Sequence, residues 1–104
     1  MISASEAFED LAAAYGEEPG VARRRMFGRD GLSRDGRFFA FLDKRGLVLK
    51  LPPATRTALV DAGDATTAEA VSPSMRKTWA IVPYADDPQR WRALTAEAFE
   101  HARP

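Results

Sequence analysis

Apolar residues recur at two different periods along this chain, and the changes of period divide it into elements. Phe8, Leu11, Ala12 and Tyr15 stand at i, i+3, i+4 and i+7, a single stripe along a helix. Ser3 followed by Glu6 has the form of a capping box that satisfies two orphan backbone N–H groups, and Gly16 is a natural stop.

Between "GEEPG" and "LPP" the period falls to two. Val21 to Phe27, Arg37 to Leu42 and Gly46 to Leu51 read as short strands separated by "GRDG", "RDG" and "DKRG", the pattern of an antiparallel meander. In "SRDGR", Asp35 and Gly36 can adopt the positive φ of a tight hairpin turn. Leu47, Leu49 and Leu51 point one way and Val48 and Lys50 the other. In the middle run Phe38, Ala40 and Leu42 fall on one face and Phe39 and Phe41 on the opposite one, so both faces need cover.

Pro52 and Pro53 end the third strand and open a helix with a modest stripe of Ala58, Leu59 and Ala62 before Gly63. "DATTAEAV" is weakly patterned. "MRKTWAIVP" alternates about Trp79 and Ile81 and is closed by Pro83, which cannot donate to a ladder. In the last helix Asp87 caps, Pro88 sits in the first turn, and Trp91, Leu94, Thr95, Ala98 and Phe99 form one side. The expected architecture is α+β with two layers: an antiparallel sheet of four to five strands packed with helices, in the order α-β-β-β-α-β-(β)-α.

A chain of 104 residues fits one domain, here residues 1–104, with no repeat, linker or low-complexity tract. No stretch approaches 18 apolar residues and the start lacks the pattern of a signal peptide, so a soluble protein of the cytoplasm with no membrane partner is expected. The absence of cysteine excludes disulfides, thiolate nucleophiles and Cys-based zinc sites.

The net charge is zero but segregated. Residues 1–20 carry five carboxylates and no base, while residues 21–50 have a net charge of +6. An acidic helix beside a basic strand region can neutralise itself within the fold.

"RRMFGRDGLSRDGRFFAFLDKRGLVLKLP", then a helix, then "MRKTWAIVP" and a Trp-containing helix resembles the TfoX N-terminal domain family, named for regulators of bacterial competence. The resemblance runs from about Arg24 to Ala102. It rests on Met26, Phe27 and Gly28; Gly31 and Leu32; Phe39 and Ala40; Leu49 and Lys50; and Trp79 with Val82 and Pro83. It implies a two-layer α+β fold and makes Met26, Phe27, Gly28, Gly31, Lys50, Trp79 and Pro83 structural motif positions. Two departures stand out. Arg29 replaces a second glycine, and the aromatic strand before the Trp strand is reduced to "TTAEAVSPS". The separate C-terminal helical domain of the competence regulators has no counterpart in these residues.

Arg23, Arg24, Arg25, Arg29, Arg34 and Arg37 are the candidate nucleic-acid contacts, since together they could neutralise several phosphates. Against this, Arg24 and Met26 share one face of a strand and Arg23 and Arg25 the other, so the preferred reading is an edge strand guarded by long charges. Catalytic patterns are scarce. His101, the single histidine, shares a helix face with Glu97, and two ligands are too few for a metal site. Ser72 and Ser74 have no base in reach by sequence, Asp87 is explained as a cap, and "GRDG" is no phosphate loop. Trp79 and Trp91 lie on apolar stripes, as core residues do. No catalytic residue, metal site or cofactor is therefore expected.

The leading expectation is a non-enzymatic regulatory or adaptor domain acting through contacts with a protein partner, with competence-type or transcriptional regulation as its setting. It is expected to be a homodimer whose interface includes Phe39 and Phe41, because a chain this small has few elements to cover both faces of that strand. The alternative is a nucleic-acid accessory protein using Arg23 to Arg37. A hydrolase or a ligand pocket ranks third.

Overall fold

The computed structural model describes residues 2–104. The capping box forms in both directions. The Ser3 N–H donates to the Glu6 carboxylate at 2.9 Å and the Glu6 N–H donates to Ser3 Oγ at 3.1 Å, opening α1 (Ala4–Tyr15) with Gly16 as its C-cap. The stripe buries Phe8, Leu11 and Ala12.

Four antiparallel strands follow: β1 (Val21–Met26), β2 (Arg29–Arg34), β3 (Arg37–Asp43) and β4 (Gly46–Lys50). Then come α2 (Pro53–Asp61), the two-residue β5 (Thr66–Thr67), 3-10 turns at Ala68–Ala70 and Pro73–Met75, β6 (Trp79–Val82) and α3 (Pro88–His101). Among the described residues the sheet has six strands in the order β1-β2-β3-β4-β6-β5, so the fold is α+β with β1 at one edge.

Arg29–Arg34 is a strand that the pattern reading took as spacer. "RDGLSR" has one large apolar residue, and its Asp-Gly pair resembles a turn. The turn lies three residues earlier, at Phe27 and Gly28, where Met26 pairs with Arg29. Gly31 sits inside β2 because a Cβ there would lie 3.1 Å from Cβ of Phe41 and 3.2 Å from the Ala40 carbonyl oxygen. The second hairpin turns at Asp35 (φ 50°) and Gly36 (φ 84°), as "SRDGR" indicates.

The faces of β3 also differ from strict alternation. The β2–β3 register pairs Leu32 with Ala40 but Ser33 with Phe38, leaving Phe39 as an extra residue. This bulge turns Phe39 to the same side as Ala40 and Leu42, and Phe38 to the side of Phe41. Phe39 joins Phe8, Leu32, Leu47, Leu49, Trp91 and Leu94 beneath the helices. Phe41 packs with Val48, Ala68, Met75, Trp79 and Ile81 on the opposite face, its ring 5.3 Å from that of Trp79.

The weakly patterned "DATTAEAV" and the residues after it supply the missing cover: 3-10 turns lay Ala68 and Met75 over the second face, and the strand expected from Met75 begins only at Trp79. Phe39 and Phe41 are both fully buried within the single chain. Neither can form a dimer contact, and the expectation that a second copy covers them is corrected. Trp79 and Trp91 are buried as expected, the latter donating from Nε1 to the Val82 carbonyl at 3.1 Å.

Candidate functional site

The six arginines of the meander do not form one patch. Arg23 projects toward α1 and bridges Glu9 (2.7 Å) and Asp30, and these two carboxylates, Asp30 foremost, hold it firmly charged. Arg34 stacks on Phe99, 4.0 Å from the ring centroid, and donates to the Phe99 carbonyl at the end of α3. Arg29 donates to the buried Asp43 at 2.6 Å. Arg24, Arg25 and Arg37 make no ion pair among the described residues, but Arg24 lies over Phe38 on the second face, Arg25 on the helix face near Phe27, and Arg37 at the opposite end of the sheet.

Asp43 anchors one end of the meander. Burial pushes its carboxyl up, but the Arg45 backbone N–H and the Arg29 and Arg45 guanidiniums outweigh that, and its pKa falls below the ordinary aspartate value. The β1–β2 and β3–β4 turns lie at this same end of the sheet, which brings Arg25, Arg29, Lys44 and Arg45 to the end that carries Phe27.

Phe27 is the exposed large hydrophobic side chain among the described residues, 57 % accessible. It also holds φ at +53°, a left-handed conformation unfavourable to a bulky residue, followed by Gly28 at +74°. Both turn carbonyls are fixed by guanidiniums: Arg29 donates to the Phe27 oxygen at 2.9 Å, and Arg25 donates to that of Gly28. The hairpin tip thus carries one aromatic ring on a turn bonded by two guanidiniums. Local strain and an exposed apolar side chain coincide at this one position.

Sequence reasoning placed Phe27 among structural positions. Its signal was an aromatic-Gly pair between two runs, which an expected turn at "GRDG" obscured. Of the other motif positions, Met26 is half-buried against the second core cluster, and Trp79 lies within it. Lys50 is exposed opposite Trp79, and Pro83 follows the end of β6.

Of the residues considered for chemistry, Glu97, Asp87, Ser72 and Ser74 are held in bonds within the chain, and His101 is exposed in the last turn of α3. Glu97 accepts from Thr55 at 2.7 Å, joining α2 to α3, and Asp87 caps α3 through the Arg90 N–H. Ser72 and Ser74 bond to each other at 3.1 Å. Among the described residues no three metal-ligating side chains cluster, and no helix is long and apolar enough to cross a membrane.

A different concavity lies between α1 and α3. It is a groove of about 270 Å³ lined by Asp10, Leu11, Ala14, Tyr15, Glu18 and Arg92. Tyr15 forms its aromatic wall and packs in turn against Phe39 and Phe99, at 5.9 and 5.1 Å between centroids. Burial, and then Glu18 and Glu100, raise the Tyr15 pKa.

An α+β domain with a basic, aromatic-tipped meander and a helix-lined core is the class these features define. The chain belongs to the TfoX N-terminal domain family, whose model matches residues 11–102, nearly the whole chain, and it is a domain of regulatory type. No curated protein and no solved structure matches it significantly.

Proposed function

We propose that this protein is a non-catalytic regulatory module that works by contact with another protein, and that the β1–β2 hairpin tip is its docking element. The carrying observation is Phe27, exposed in a strained turn whose carbonyls are clamped by Arg25 and Arg29. An exposed aromatic anchor on a turn flanked by arginines has the composition of a binding hot spot, and the neighbouring charge favours a partner face that is apolar at its centre and acidic at its rim. Membership of a family named for competence regulators supports a place in transcriptional or competence-type control. A non-enzymatic role accords with the structural bonding of Glu97, Asp87, Ser72 and Ser74.

The nucleic-acid alternative is weaker because Arg23, Arg29 and Arg34 are already paired with carboxylates inside the fold, and the other three arginines face different directions. The test is a paired capture from the native cell, with wild type and Phe27→Asn as baits, each shown by thermal melts to be folded. The reading expects proteins retained by the first and lost by the second. Identical captures from both baits overturn it.

A further inference from the structure

The same chain carries both an aromatic knob flanked by arginines and an apolar groove flanked by carboxylates. Phe27 is exposed at the hairpin tip, whose carbonyls accept from Arg25 and Arg29, at the end of the sheet that also carries Lys44 and Arg45. The α1 groove offers the side chains of Leu11, Ala14 and Tyr15, with Asp10 and Glu18 on its rim against the single cation Arg92. Glu17 adds a further exposed carboxylate beside it.

We propose that the tip of one copy seats Phe27 in the α1 groove of a second copy. This rests on the reading of the tip as the docking element and names its partner. A volume of about 270 Å³ is ample for one phenyl ring, which there meets Tyr15 and extends the existing Tyr15–Phe39–Phe99 aromatic group. The complementary signs are built into the chain: α1 and the following turn hold five carboxylates without a base, and the meander holds the excess of arginine. Burying Phe27 removes the one large apolar side chain left in water among the described residues.

Tip and groove are different surfaces, so the contact is heterologous. Each pair leaves one tip and one groove free, and association continues into rings or open chains rather than stopping at a two-fold dimer.

The experiment is sedimentation velocity on the full chain at roughly 10 to 500 µM protein and about 50 mM salt, repeated at about 500 mM, where screening shortens the range of the charges to a few ångströms. Wild type is expected to grow in mass with concentration, with at least about a tenfold loss of association at high salt. Phe27→Ser, with an intact groove, and Ala14→Trp, with a filled groove but an intact tip, are each expected to stay monomeric. Their equimolar mixture is expected to form a 1:1 dimer that grows no further. Glu18→Lys serves as a second groove variant, and unchanged melting temperatures establish that each variant is folded.

Wild type that remains monomeric throughout overturns the proposal, as does a mixture that stays monomeric while wild type associates. In either case a Phe27-dependent capture of some other protein leaves the docking role of the tip standing with a different partner.

Discussion

The guanidinium of Arg34 lies 4.0 Å from the ring centroid of Phe99 and donates, at 2.9 Å, to the carbonyl of that same residue. One side chain of β2 thereby stacks on α3 and satisfies one of its last carbonyls, where a cation also complements the helix dipole. Arg34→Met keeps most of the stem and loses both polar interactions, so it is expected to cost about 1 to 2 kcal/mol in a urea melt. Arg34→Lys is expected to recover less than half of that, because an ammonium cannot stack as a planar guanidinium does. A loss below about 0.3 kcal/mol for Arg34→Met would mean that this arginine is free for a ligand after all.

Phe41 provides the second test. Buried among Val48, Met75, Trp79 and Ile81, it is expected to lose about 3 to 5 kcal/mol as Phe41→Ala, and Phe41→Asp is expected to unfold the chain. A folded Phe41→Asp variant would return this residue to the surface.

These two residues mark the limits of legibility. Arg34 and Phe99 are 65 positions apart, and nothing periodic links them. The capping box of Ser3 and Glu6, the Asp35-Gly36 turn, the inward Leu47, Leu49 and Leu51, and the Asp87 cap were all legible, because each depends on neighbours within a few residues. The bulge at Phe39 was not, since it arises from how β2 meets β3, and β2 itself was hidden by its polar composition. With the bulge hidden, the side of Phe39 was misjudged. The cover over Phe41 comes from 3-10 turns that carry no regular period. For the site, the arginine-rich run was visible, but which arginines are internally paired depends on α1, α3 and the β3–β4 turn.

Acid should act through Asp43. Its pKa is depressed in the folded chain, so the stabilisation it gives is complete above about pH 4, where unfolded aspartate is ionised, and is lost as pH falls through the lower folded value. Asp43→Asn is expected to cost about 1.5 to 3 kcal/mol at pH 7 by weakening the charge-assisted bonds from Arg29 and Arg45. The same variant is expected to flatten the loss of stability below about pH 4. Parallel pH profiles for wild type and variant, followed by thermal melts, would assign the acid sensitivity to other carboxylates.

Nucleic acid is expected to bind poorly. With Arg23, Arg29 and Arg34 held by Glu9, Asp30, Asp43 and Glu100, gel shifts at about 50 mM salt should show no complex at tens of micromolar protein, within the usual nonspecific range. A complex whose affinity falls steeply with salt, and falls less steeply after Arg24, Arg25 and Arg37 are changed together to Ser, would instead favour the polyanion reading.

Phe27 is held to be present for contact and not for folding, and its stability effect tests that most directly. Asparagine tolerates positive φ far better than phenylalanine and leaves no apolar ring in water. Phe27→Asn, compared with wild type by urea melts at equal protein concentration and about 500 mM salt to suppress association, is expected to be more stable by about 0.5 to 1 kcal/mol. A variant less stable than wild type by more than about 1 kcal/mol would contradict the account, because the ring would then belong to the packing of the fold.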